Sequence, residues 1–466
     1  MTTTPSLFRP FGSGLALVHG LGRFGGGREA VRYLVRHGWR VRIADKSAGD
    51  DLQAVRQDLA LGAAVDWQLG REDEALLDDV ALFVVNQAVP DQHPLLAAAI
   101  ARGMPRTQEV DLFLAAYPGK VVAVTGTNGK STTSTLLHRA LQRSGIDALL
   151  GGNIGHSLLV DEAQWRPDQI AVLEISSFQL DRLSPTARVH GAVFTRVLRD
   201  HIDRHGTLAA YHAAKGRLAA AAEAFVVHAA TDPVASGYQT AAPTRLRYAL
   251  TTPGPDSAGL LDGHVVVQLG HAAPERMLHQ SALRLVGDFQ LENVMAASLA
   301  ARCCGGTPHG IGLALALAAP LPFRLQLLEV RGGVRIYDNG VSTEVESTRS
   351  ALATLTGRVH WLGGGKSKDG DYATVANAVA PHLASAHLFG AAAKPLAAQL
   401  HGRVPTTTST SLREAFAKVF AAAGPGDAVL WSPAFASFDQ YPNFRARALE
   451  FHTLLAESRA AGAGDV

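Results

Sequence analysis

Val121-Val-Ala-Val-Thr-Gly-Thr-Asn-Gly-Lys-Ser-Thr-Thr133 is the stretch on which the reading of this chain turns. A short apolar, β-branched run leads into Gly126-Thr127-Asn128-Gly129-Lys130-Ser131-Thr132, and Ser134 to Leu141 has helical character. Strand, glycine turn and helix in that order are the context a phosphate-binding loop requires. Gly126 and Gly129 let the backbone approach an anion where a Cβ would intrude. The new helix aims its N–H groups and positive dipole end at phosphate. Lys130 adds a point charge, and Ser131 or Thr132 offers a hydroxyl to Mg²⁺. The alternative is a plain strand-to-helix turn, but Gly-Lys-Ser-Thr after an apolar strand is a demanding combination. The spacing is tighter than the general phosphate-loop pattern, which points to a subclass of triphosphate binders.

Around this loop lies a chain of 466 residues, too long for one core, so several domains are expected. Forty-seven per cent hydrophobic and 18% charged residues describe an ordinary globular protein. A formal net charge of +2 gives no reason to expect a nucleic-acid or anionic-membrane partner. Cys303 and Cys304 are the only cysteines, and adjacent cysteines rarely bridge; a reducing cytosol fits. No leader pattern and no membrane-length apolar run is present, so the expected location is cytoplasmic.

Upstream, Gly14 to Gly20 reads as a strand entering Gly20-Leu21-Gly22-Arg23-Phe24-Gly25, a G-x-G-x-x-G turn. A helix over 28–37 and a strand over 39–44 follow. Asp45 then stands where a dinucleotide-binding unit places its ribose carboxylate. Alone, this suggests an NAD enzyme; the phosphate loop downstream lowers that reading. A strand over 80–85 and a helix over 94–102 complete a small α/β domain, and residues 115–120 read as its exit.

Downstream, Gly151 to Gly155 reads as a turn-rich loop, and the strand 170–173 ends at Glu174, well placed for Mg²⁺. The strand 189–195 runs into Asp200 and His201, and Lys215 falls on a helix. Residues 246–285 read as a less regular extension. A helix over 287–301 carries Gln290 and Asn293 near its start. From Arg324 onward, strand–helix alternation returns, with polar and glycine clusters at strand ends: Asp338 to Glu344, Gly363 to Asp369 and Ser432 to Asp439. The expected architecture is α/β with three domains, 1–118, 119–320 and 321–466.

Six strings together resemble the Mur ligase family: GTNGKST (126–132), GGNIG (151–155), EISSFQLD (174–181), DHIDRHG (200–206), YHAAKGRL (211–218) and SPAFASFDQYPNF (432–444). The resemblance covers nearly the whole chain and is strongest to members adding glutamate to UDP-N-acetylmuramoyl-L-alanine. It implies a Rossmann-like UDP-sugar domain, a central ATPase and a C-terminal Rossmann-like domain. It implies ATP and two Mg²⁺ as cofactors, a monomer, and a place in cytoplasmic peptidoglycan precursor synthesis.

The resemblance also implies roles. Lys130, Ser131 and the rest of 126–132 would bind ATP, with Gln290, Asn293, Arg324 and Asp338. Ser131, Glu174, His201 and a carbamylated Lys215 would hold metal. Gly20, Gly22, Asp45, Asn153 and His201 would serve the UDP-sugar. Ser342, Lys366, Lys368, Ser437 and Phe444 would serve glutamate, with Lys130, His201 and Lys215 the catalytic set. This sequence departs from the family where the amino acid binds. Gly340 stands in place of a lysine, Phe323 in place of a histidine, and Arg196 and Arg199 in place of Asn and Glu. The loop at Gly365 to Asp369 is a residue longer. Lost charge on one side and gained charge on another imply L-glutamate; D-glutamate is the alternative, and a catalytically dead nucleotide-binding homologue another.

Overall fold

The computed structural model describes residues 14–22, 26–47, 49–59, 61–368 and 370–462. Arg23, Phe24 and Gly25 of the first glycine turn, and Asp369, lie outside the described residues. Three sheets follow one another along the chain. The first contains β1 (Leu15–His19), β2 (Arg40–Asp45), β3 (Val65–Leu69), β4 (Val80–Val85) and β5 (Arg106–Thr107) in the order 3-2-1-4-5, all parallel. β3, β5 and the helix Glu109–Ala116 escaped the sequence reading. β3 is the half-exposed Val-Asp-Trp-Gln-Leu, whose mixed composition hides a strand, and β5 is only two residues long.

The second sheet comprises β6 (Lys120–Thr125), β7 (Ala148–Gly152), β8 (Ile170–Glu174), β9 (Val189–Phe194), β10 (Ala222–Ala229), β11 (Thr244–Tyr248), β12 (Ser257–Leu261), β13 (His264–Gln268) and β14 (Glu275–His279). Their order is 14-13-12-11-10-9-6-8-7, parallel from β12 to β7 and antiparallel through the β12–β13–β14 meander. Gly151 and Gly152, expected in a loop, end β7 instead. A Cβ on Gly152 would sit 2.4 Å from the Glu174 carbonyl oxygen, so glycine permits the strands to close there. β8 is buried along its whole length, as a central parallel strand covered on both faces must be.

The third sheet holds β15 (Gln326–Arg331), β16 (Val334–Asp338), β17 (Val359–Gly364), β18 (Ser385–Phe389), β19 (Thr406–Ser409) and β20 (Ala428–Ala434), ordered 15-16-20-17-18-19. Only β15 is antiparallel.

The chain divides into two compact units, Met1–Leu283 with Glu292–Leu317, and Arg284–Leu291 with Ala318–Val466. In the first unit one apolar core runs without a break from Ala16, Val31 and Phe113 to Val121, Leu173 and Phe194, so the first two sheets are packed together. In the second unit, cores around Trp361 and around Trp431 contain residues of the third sheet. Among the described residues no helix is long and apolar enough to cross a membrane.

Candidate active site

β6 ends at Thr125, and the chain turns through Gly126 to Gly129 into the helix Lys130–Arg143. The turn needs its glycines. At Gly126, with φ 150°, a Cβ would lie 1.8 Å from Thr195 Oγ1. At Gly129, with φ 85°, it would lie 2.2 Å from Asn293 Oδ1. Thr195 is that close because its hydroxyl donates to Asn128 O at 2.6 Å. The Thr127 amide donates to Arg196 O, and its side-chain oxygen accepts from the Leu198 amide at 2.8 Å. The loop is thus stitched to the segment following β9. Tyr211 Oη lies 2.8 Å from the same Thr127 oxygen, a contact the sequence did not announce.

Lys130 curls over this loop, donating to Gly126 O at 3.0 Å and Thr127 O at 2.8 Å. Lys215 comes from below, on the helix Leu208–Ala221, and donates to Gly126 O at 2.8 Å. It is 1% exposed, with its ammonium 4.9 Å from the Tyr211 ring centre. Burial, and then the charge of Lys130, push its pKa well below the usual lysine value. Burial of this kind favours the neutral amine over the charged one.

Glu174, 2% exposed at the end of β8, takes a hydrogen bond from Asn153 Nδ2 at 3.0 Å on Oε1. Its Oε2 is buried without a protein partner. A buried carboxylate oxygen of this kind beside a phosphate loop has the chemistry of a hard-cation ligand. His201 takes a left-handed conformation, φ 51°, and begins the short helix Ile202–His205. Its Nε2 lies 3.2 Å from Asp200 Oδ2, and its amide donates to Asp200 Oδ1. The expected residues Gly126 to Thr132, Asn153, Glu174, His201, Lys215 and Asn293 all lie in the first unit. Thr133 donates to Asn293 Oδ1 at 3.3 Å, which holds that side chain against the loop. Of the divergent residues, Arg196 forms a two-pronged pair with the Glu292 carboxylate.

In the first sheet, Gly20 and Gly22 have positive φ and lie at the end of β1. Asp45 does not simply face outward: one carboxylate oxygen takes the Leu21 amide and the other the Ser47 amide, both at 2.9 Å. A pocket beside this turn is lined by Gly20, Gly27, Asn86, Gln87, Gln108 and Glu109, among others. Burial raises the Glu109 carboxyl above its usual range, and the Ser157 hydroxyl donates to it.

Gln290, Arg324, Asp338, Ser342, Lys366, Lys368, Ser437 and Phe444 lie in the second unit. Asp338 is fully buried; its Oδ1 takes the Gly340 amide at 2.7 Å, and its Oδ2 lies 2.6 Å from His452 Nε2. Arg324 stands between Phe323 and Leu325, both at positive φ, in a strained turn. Ser342 is 2% exposed, its hydroxyl donates to Glu344 O, and it lies 3.0 Å from Thr348 Oγ1, so it faces inward. Lys368 forms an ion pair with Glu344, whereas Lys366 is exposed and anchors the loop through backbone pairing with Ala436. Ser437 is buried, and Phe444 opens the helix Phe444–Gly462. A residue the sequence reading passed over is Arg447, wholly buried, which donates to Gly364 O, Ala436 O and Phe435 O. A lone arginine in an amphipathic helix carries no signal of this role.

A glycine turn from strand to helix on a mostly parallel sheet, with a buried acid and a buried lysine beside it, is the arrangement expected of a nucleotide-binding α/β protein. The family models for "Mur ligase middle domain" and "Mur ligase, glutamate ligase domain" match residues 124–301 and 323–435. The chain is 33% identical to a UDP-N-acetylmuramoylalanine–D-glutamate ligase of Acidobacterium capsulatum, covering 96% of this chain and 97% of the relative. It is 32% identical to the enzyme of that name from Geobacter metallireducens, over 96% and 98%. Among solved structures, the UDP-N-acetylmuramate–alanine ligase of Thermotoga maritima superposes with a TM-score of 0.60 at 15% identity, covering 96% and 99%. A pseudomurein peptide ligase of Methanothermus fervidus gives 0.58 at 17% identity, over 90% and 97%. The chain belongs to the Mur ligase family.

Proposed function

We propose that this protein is an ATP-dependent ligase joining glutamate to UDP-N-acetylmuramoyl-L-alanine through an acyl phosphate, in the cytoplasm and as a monomer. The observation that carries the reading is the fully buried Lys215, whose Nζ donates to Gly126 O of the glycine turn and whose pKa burial holds well below the usual lysine value. A neutral amine adds to carbon dioxide, and the resulting carbamate is a metal ligand, which gives such a lysine a purpose. Residues 1–118 would hold the UDP-sugar, 119–320 ATP, and 321–466 the amino acid and part of the nucleotide.

In this scheme Gly126 to Thr132 cradle the phosphates, with Lys130 on the transferred group. Gln290, Asn293, Arg324 and Asp338 serve the rest of ATP. Ser131, Glu174, His201 and carbamylated Lys215 would hold two Mg²⁺. The buried, partnerless Glu174 oxygen fits that part. Magnesium supplies charge neutralisation between two anions that must meet. The substrate carboxylate oxygen attacks the γ-phosphorus and ADP leaves. The glutamate nitrogen then attacks the acyl carbon, the C–O bond to phosphate breaks, and the nitrogen sheds its proton. Excluding water protects the acyl phosphate from hydrolysis.

The names of the curated relatives favour D-glutamate over the L-isomer expected from the sequence, and D-glutamate is the leading reading. L-glutamate stays as a second reading for one observation. A Cβ at Gly340 would lie 2.7 Å from Trp431 Nε1 and 3.0 Å from Ala448 Cβ, so the neighbours are packed around a glycine and a lysine there would displace them. The test is ADP release with UDP-N-acetylmuramoyl-L-alanine and each isomer at equal concentration. Release with neither isomer sinks the ligase reading, and a clear preference for one isomer decides between the two.

A further inference from the structure

At the ligand end of the first sheet, three side chains from separate segments converge. His19 ends β1, Glu72 follows β3, and His93 opens the helix Pro94–Ala101. His19 Nε2 lies 2.9 Å from one oxygen of Glu72, and His93 Nε2 3.0 Å from the other. The side chains are 1%, 27% and 17% exposed, and the two rings meet edge to face at 4.5 Å.

Their ligand atoms all lie within 4.8 Å of one another, close enough for a metal ion. The protons argue otherwise. The Leu95 amide donates to His93 Nδ1 at 3.2 Å, so that nitrogen is bare and Nε2 carries the hydrogen. A metal on Nε2 would need the reverse tautomer and would cost the helix its cap. His19 Nδ1 is buried with no partner, whereas metal-binding histidines nearly always donate from the second nitrogen. Burial also lowers the His19 pKa, which keeps that ring neutral. Both rings therefore donate Nε2–H to one carboxylate.

That carboxylate ties together the loops that surround the glycine turn. The His19 carbonyl accepts the Asn86 amide, and the Asp45 carbonyl the Gly70 amide. The loop from Asn86 to His93 is in turn held by Arg182, which donates to Asn86 O at 2.8 Å, and by Arg204, which donates to Val89 O at 2.8 Å. Ser176 donates to Gln87 Oε1 at 2.8 Å. We propose that His19, Glu72 and His93 form a hydrogen-bonded clamp that positions these loops and so sets the affinity for the uridine diphosphate part of the substrate. This rests on the first sheet holding that group, as proposed above.

The test is calorimetric titration of the full chain with uridine 5′-diphosphate and, separately, with ATP. Glu72→Leu removes both acceptors and should weaken uridine diphosphate binding about tenfold, or about 1.4 kcal/mol. Glu72→Gln should stay within about threefold of wild type. Its amide oxygen accepts from His93, and its amide nitrogen donates to His19 Nε2 once the His19 proton moves to the partnerless Nδ1. ATP affinity should hold in both variants. Unchanged uridine diphosphate binding in Glu72→Leu overturns the clamp, as does a joint loss of both affinities, which would mark a merely structural role. Stoichiometric Zn²⁺ uptake by the wild type that Glu72→Gln abolishes would make the cluster a metal site instead. Wild-type protein that binds ATP but not uridine diphosphate would sink the substrate reading of the first sheet, and the clamp with it.

Discussion

Lys215 concentrates the chemistry of the centre into one side chain. It is buried, donates to Gly126 O, and is pushed toward the neutral amine by its surroundings. Lys215→Ala should abolish ligation with the fold intact, and short carboxylic acids should restore part of it by resupplying oxygen ligands; an active, acid-independent variant refutes the carbamate. Lys130→Ala removes the point charge on the transferred phosphate, and turnover should fall far more than about tenfold, a loss above roughly 1.4 kcal/mol of transition-state stabilisation. Steady-state ADP release measures it. Gly126→Ala tests the backbone itself. A Cβ there meets Thr195 Oγ1 at 1.8 Å, in a backbone region L-residues rarely adopt. Strain of about 1–3 kcal/mol, plus displacement of the loop, should lower both the melting temperature and ATP affinity.

At the scale of elements, the phosphate loop depends on how the chain after β9 is held. Asp232 does this from a distance. One of its oxygens takes the Val197 amide at 2.8 Å, and the other caps the helix Pro233–Ser236 through the Val234 and Ala235 amides. The side chain is 4% exposed, so its loss leaves three amides without their acceptor. Asp232→Ala should destabilise the chain by about 2–4 kcal/mol, the sum of a lost cap and a stranded buried donor. Chemical denaturation checks the value. A drop in ATP affinity at a temperature where the variant remains folded would tie this cap to the Arg196 carbonyl that accepts from the Thr127 amide.

For the molecule as a whole, acid stability has a visible source in the second unit. A chain buried at its centre runs from Asp427 through His360, Ser385 and His387 to Thr407, with links of 2.7 to 3.0 Å. Burial first, then the neighbouring His360 and Lys418, bring the His387 pKa down to about 4. The folded value lies below the free-histidine value of 6.5, so the folded state resists the proton. The contribution is whole above pH 6.5 and is lost as the pH falls from there through about 4. His387→Gln should flatten the fall in melting temperature across that window. An identical slope in the variant would place the acid sensitivity elsewhere.

The sequence by itself determined the family and the class of chemistry. A phosphate loop is local: strand, turn and helix are neighbours along the chain, and each residue type is forced by the anion it serves. The string around Lys215 was legible for the same reason, as were most of the buried parallel strands. What only the tertiary structure decided lies between segments distant in sequence. That Lys215 reaches the Gly126 carbonyl, that Asp45 accepts the Leu21 amide, and that His19, Glu72 and His93 share hydrogen bonds all depend on packing across the sheet ends. Local pattern carries no record of such meetings. β3 and β5 escaped for a related reason, being short or half-exposed strands that are defined by the neighbour they pair with.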